Sequence, residues 1–278
     1  MVSEMSQMIR VASVHSRALL VASAVVAVMA LSWPASQPAE ASCRNVHAAS
    51  GANAAAIQPA VQACRDDLGA LNQPGGRREI NWDGVPDNRS APNDLPPNFF
   101  NVNAPRGTVF FTPGSGTQVS ADSDNPANAP IEFGNLNAAH PDSFQPFSAP
   151  RLFTAIGSNV VDVHLFVPAT ATPAVSNGFG VVFSDVDLAG SSSIEFIDAR
   201  GKSLGEYDVP AGPNGGLSFL CVTGFKIKDN GKGAPALVRI TSGNVAPSAA
   251  GSDGGGVDVA VTDDFILGEP QAFDPKGK

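Results

Sequence analysis

The sequence predicts an all-β protein, an antiparallel β-sandwich of jelly-roll type that carries a short N-terminal amphipathic helix. Three observations lead there. Bulky apolar residues recur at alternate positions in many short runs, the period-2 pattern of strands with one face in a core. Turn-forming residues punctuate those runs: the 278-residue chain holds 28 Gly and 23 Pro, while only 15% of its residues are charged. A helical period occurs in one segment alone. The apolar share of 43% is too high for a disordered chain, and the length suits one large β domain behind a leader.

Residues 1–41 read as an export signal. Arg10 and Arg17 precede an apolar run over 18–33, and Ala39, Glu40 and Ala41 form a small-x-small cleavage site that leaves Ser42 first. A retained membrane anchor competes with this reading, but sixteen residues fall short of the roughly 20 needed to span a bilayer. A lipoprotein reading would use Cys43, but Glu40 stands where a lipobox carries an aliphatic residue. The expected location is therefore periplasmic or secreted, without stable membrane insertion after cleavage. The net charge of −9 and the lack of a basic stripe argue against a nucleic-acid partner.

Residues 42–76 are expected to form an arm and a helix. Ile57, Val61, Cys64, Leu68 and Leu71 are spaced 4, 3, 4, 3 along one helical face, and Pro59 fits if the helix begins near Ile57. Cys43 and Cys64, 21 apart in an exported chain, are the preferred disulfide, worth roughly 3 kcal/mol in the chain-entropy model. Cys221, inside the apolar run 217–222, reads as a buried thiol or as an alternative partner for Cys64.

The sandwich is expected over 77–270. Ile80 and Trp82 alternate as an inward face, and 88–103 is a surface loop pinned by Phe99 and Phe100. Short strands are expected at 109–111, 118–120 and 131–133, then from Leu152 and over 161–167. The clearest stretch, 178–208, reads as a three-strand meander: Phe179, Val181 and Phe183 alternate, Asp185 and Asp187 close that run, and Ile194 and Phe196 resume it. Runs at 217–222, 225–227, 236–240 and 257–267 complete the set. In the last, Val257, Val259 and Val261 are expected inward, with Asp258 and Thr262 outward. Residues 271–278 form a tail.

The chain resembles a group of uncharacterised secreted bacterial β-sandwich proteins that share three features. These are an Ile-Asn-Trp-Asp-Gly-Val-Pro-Asp opening (80–87), a Gly-Phe-Gly strand running into Asp-x-Asp (178–187) and an Asp-Asp-Phe ending (263–265). More distantly it is similar to jelly-roll carbohydrate-binding modules, which implies a structural calcium ion near the last strand.

Carboxylates beside glycine are the most chemical set: Asp83, Asp87, Asp185, Asp187, Asp263 and Asp264. Calcium takes six to eight oxygen ligands, and the first and last strands of a jelly roll can be neighbours, so Asp83, Asp87 and Asp264 are the expected metal ligands. The competing explanation is that Asp ends strands by bonding its own backbone. Exposed aromatics that stack on sugars are scarce, Trp82 and Tyr207 being the only Trp and Tyr behind the leader. His47, His140 and His164 have no partner at metal-ligand spacing, and no Gly-x-Ser-x-Gly elbow occurs. Residues 251–256, with Asp253 among glycines, lack the lysine of a phosphate loop. The expected function is a non-catalytic binding or structural module of the cell envelope or extracellular matrix. A carbohydrate-binding module and a glycan-directed hydrolase are the alternatives.

Overall fold

The computed structural model describes residues 44–228, 230–251 and 253–273. The expected leader and Cys43 lie outside them. The chain forms β1 (Asn45–Gly51), α1 (Ala54–Leu68), β2 (Arg77–Ile80), β3 (Thr108–Phe111), β4 (Gly116–Val119), β5 (Phe153–Ile156), β6 (Val160–Leu165) and β7 (Ala174–Val175). It continues through β8 (Gly178–Ser184), β9 (Ser193–Asp198), β10 (Ser203–Asp208), β11 (Leu217–Thr223), β12 (Pro235–Thr241), β13 (Val261–Gly268) and β14 (Gln271–Ala272).

Two antiparallel sheets pack face to face. One runs β1-β11-β8-β13-β5-β4 with β2 also on β13, and the other runs β10-β9-β12-β6-β3. The core between them joins Phe179, Val181, Phe183, Leu220, Val222 and Phe265 of the first sheet to Phe110, Val163, Ile194, Phe196, Val238 and Ile240 of the second. The expected alternation along β6 holds, with Val161, Val163 and Leu165 buried.

The outer face of the larger sheet is covered too. Ile57, Val61, Cys64 and Leu68 of α1 pack on Val182, Phe219, Cys221 and Ile266, which explains why β8, β11 and β13 are buried at every position. The helix begins three residues earlier than Pro59 alone suggested, and Leu71, beyond its end, is 45% exposed.

Several expectations are corrected. Residues 178–208 are not a meander. β8 belongs to the larger sheet, while β9 and β10 form a hairpin in the smaller one. The eight residues between β8 and β9 are enough to cross the ~10 Å between packed sheets. The arm is not separate from the sandwich, because β1 pairs with β11 along seven residues. The start of the expected tail also joins the fold, through β14 on β7. Residues 131–133 and 225–227 form no strand, although Phe133 and Phe225 are buried. Asp258 and Thr262 point inward and are 0% and 3% exposed.

The disulfide expectation is corrected as well. Cys64 is bonded to Cys221, not to Cys43, and the bridge ties α1 to the strand beneath it. The reason is geometric. The helix face that carries Cys64 lands on the larger sheet where Cys221 points outward from β11. Gly180 on the adjacent strand makes room, since a Cβ there would come within 2.7 Å of the Cys221 Cβ.

Candidate functional site

The two acidic motifs meet where β2 pairs with β13, Ile80 lying opposite Phe265. Trp82, in a short 3-10 turn, stacks on Phe153 with ring centroids 4.2 Å apart and meets Phe265 edge-on. Its Nε1 donates to the Asp263 carbonyl at 3.0 Å. At this point β13 pairs Thr262 with Phe183 and Phe265 with Val181 of β8, so one extra residue is accommodated, as in a β-bulge. The distortion turns both Asp263 and Asp264 into the interior, 0% and 5% exposed.

Each carboxylate of this junction has a partner from the protein on at least one oxygen, although Asp263 Oδ1 is buried without one. Asp263 Oδ2 accepts the backbone N–H groups of Phe147 (2.5 Å) and Ser148 (3.1 Å), and Asp264 Oδ1 accepts the Ser148 hydroxyl at 2.8 Å. Burial, then the neighbouring Asp264 charge, pushes Asp263 well above the usual carboxylate range, and burial brings Asp264 to about 6. Asp83 Oδ1 accepts the Arg151 N–H at 3.0 Å. The Arg151 side chain, 2% exposed, reaches Asp87 at 2.6 Å and Asp122 at 2.5 Å and donates to the Ser120 carbonyl at 3.0 Å. Asp83, Asp87 and Asp264, expected to share a calcium ion, therefore do not converge. Asp87 is neutralised by a guanidinium, and Asp264 is turned to Ser148.

Among the described residues, the carboxylates that do converge are Asp185, Asp187 and Asp253, which offer oxygens within 4.8 Å of one another. Asp185 follows β8 in the left-handed region (φ 68°) and begins the crossing to β9. Asp253 comes from the glycine-rich loop before β13, where Gly254, Gly255 and Gly256 all take positive φ. Asp185 Oδ1 accepts the Gly215 N–H at 2.6 Å, whereas its Oδ2 is buried without a partner. Burial is the largest cause pushing Asp185 up to about 7, with the charges of Asp253, Asp187 and Asp258 adding to it. Asp258 holds Ser191 and the Leu188 N–H through Oδ2, and its Oδ1 is also buried and unpartnered. The sequence marked Asp185 and Asp187 as a bracket. Asp253, 66 residues beyond Asp187, carried no periodic signal.

Asp253 also lines a cleft of ≈ 270 Å³ with His140, Ser143 and Asn214. His140 donates from Nδ1 to the Phe133 carbonyl at 3.2 Å, and burial lowers its pKa. His164 is not paired with Asp162, which Arg239 holds through two bonds of 2.8 and 2.9 Å. His47 instead bonds Asp67 at 2.7 Å. Of the two rings that a sugar could have stacked on, Trp82 is fully buried and Tyr207 packs on Phe196 with its hydroxyl accepting from Arg44. Phe111, 52% exposed, borders a groove of ≈ 330 Å³ with Asp94, Thr112, Ser115 and Thr117.

No protein-family model and no curated protein matches the chain. Among solved structures, the enzymatically active domain of bacteriophage CBA120 tailspike protein 4 is similar at a TM-score of 0.23 and 12% identity, over 68% of this chain and 22% of that one. No helix among the described residues is long and apolar enough to cross a membrane.

Proposed function

We propose that this chain is an exported, non-catalytic β-sandwich module that serves as a binding or structural component of the cell envelope or extracellular matrix. One observation supports it above the others: the acidic residues of both motifs are consumed in building the fold. A glycan hydrolase needs two carboxylates that face each other across an open groove, one of them free to move a proton. Asp263 and Asp264 lie in the interior with backbone and serine donors on them, and Asp87 is tied to Arg151.

The test is to incubate the purified protein with chromogenic glycosides and esters and, separately, with insoluble envelope polysaccharide. Turnover is expected to equal the protein-free control. Turnover that is abolished by Asp264→Asn in a folded protein would overturn the proposal. Carbohydrate binding is the second reading, favoured by exposed Phe111 beside the ≈ 330 Å³ groove with hydroxyl and carboxylate groups around it. That reading expects retention by the polysaccharide to fall at least tenfold on Phe111→Ala; retention without that fall removes Phe111 from it.

A further inference from the structure

The acidic cluster between the β8–β9 crossing and the glycine-rich loop is an unfavourable arrangement as it stands. Three carboxylates offer oxygens within 4.8 Å of one another, and among the described residues no ion pair reaches Asp185, Asp187 or Asp253. Crowding alone would be unremarkable at a surface, where water screens charge. Asp185 is different: it is 0% exposed, and its Oδ2 has no donor from the protein. A buried carboxylate close to other carboxylates, with one oxygen lacking a protein hydrogen bond, loses solvation and gains repulsion. Asp258 repeats the pattern alongside, 0% exposed with Oδ1 unpartnered. A cation that accepts oxygen ligands from several directions would offset that repulsion.

We infer that Asp185, Asp187 and Asp253 bind one calcium ion, which clamps the crossing between the two sheets to the loop that leads into β13. The donor set selects the class of ion. All three ligands are carboxylates, with no Cys or His, which favours a hard cation over zinc or copper. Carboxylates carried on irregular loops suit calcium, which takes six to eight oxygens at 2.3–2.6 Å in flexible geometry, better than magnesium, which demands near-octahedral ligands at 2.0–2.1 Å. Asp253 borders the ≈ 270 Å³ cleft, which gives the ion an entry path and room for coordinated water. Gly215, whose N–H holds Asp185 Oδ1, fixes that carboxylate so that Oδ2 is left for the ion. The inference is independent of the binding or structural role proposed above.

The experiment is calorimetric titration of the full exported protein, stripped with chelator, using calcium chloride alone, with thermal unfolding in parallel. One equivalent of calcium is expected to bind and to raise Tm, with magnesium at least tenfold weaker. Asp187→Asn, on the accessible side of the cluster, is expected to weaken binding at least tenfold, while Asp83→Asn leaves it unchanged. Asp185→Asn gives a signature that a purely structural aspartate would not. Asn keeps the Gly215 bond and tolerates the left-handed φ, so the metal-free Tm rises while the calcium-dependent increment disappears. A merely structural Asp185 would instead lower Tm. If chelation unfolds the protein, the calcium dependence of refolding in wild type and Asp187→Asn reads the same quantity. Absence of heat and of any Tm change at 10 mM calcium overturns the inference, as does binding that survives both Asp187→Asn and Asp253→Asn.

Discussion

Arg151→Ala is the substitution whose cost the geometry of the motif junction fixes best. The guanidinium is 2% exposed and satisfies Asp87, Asp122 and the Ser120 carbonyl together. Removing one partner of a buried ion pair costs roughly 3–5 kcal/mol, because the remaining charge stays desolvated. The two acids do not suffer equally. Asp122 is 18% exposed and keeps most of that penalty, whereas Asp87 is 42% exposed and recovers water. The loss is therefore set near the lower end, about 3 kcal/mol, or roughly 6–12 °C in Tm for a domain of this size. Thermal and urea unfolding followed by circular dichroism measure it. Arg151→Ala combined with Asp122→Asn is expected to recover part of the loss, since the stranded charge is then gone. A loss below about 1 kcal/mol for the single variant would refute the reasoning and show that water replaces the arginine.

Three further outcomes follow from the same structure. Replacing Cys64 and Cys221 by serine opens a closure of 157 residues, for which the chain-entropy model gives about 5 kcal/mol; a Tm that is insensitive both to this double variant and to reductant would deny the bridge. Burial raises Asp264 to about 6, with the Asp83 charge adding, so its contribution is complete below about pH 4 and is lost as pH rises through 6. Asp264→Asn is accordingly expected to match wild type near pH 4 and to exceed it by on the order of 3 kcal/mol at pH 7, and a gain independent of pH would rule out the titration of Asp264 as its source. Mass spectrometry of the exported protein is expected to find Ser42 at its N-terminus; an intact leader would contradict export by cleavage.

Local periodicity in the sequence carried much of the fold. The 4, 3, 4, 3 spacing of Ile57, Val61, Cys64 and Leu68 found the buried face of α1, and the alternation through Val161, Val163 and Leu165 found β6. The adjacency of the 80–87 opening and the last strand was also legible. What periodicity does not encode is which sheet a strand joins. The turn residues after Asp187 signal a reversal, but the same residues serve a crossing between sheets. The even positions of β8 held a second clue, since Gly180, Val182 and Ser184 are buried beside the odd-numbered phenylalanines, the mark of a strand covered on both faces. Cys64 on the apolar helix face and Cys221 in an apolar run were both inward residues, and that shared burial was a better guide to pairing than a spacing of 21. The acidic site was half visible. Asp185 and Asp187 stood out as a bracket, but Asp253 reaches them only through an irregular loop, and Asp258 broke the alternation that placed it outside.

The division of labour among the carboxylates, acids of the 80–87 and 263–265 motifs building the fold and Asp185, Asp187 and Asp253 holding an ion, is tested most directly by anomalous diffraction from crystals grown with calcium. One peak is expected between Asp185, Asp187 and Asp253, with the Arg151 guanidinium between Asp87 and Asp122. A calcium peak among Asp83, Asp87 and Asp264, with Arg151 displaced, would contradict the account.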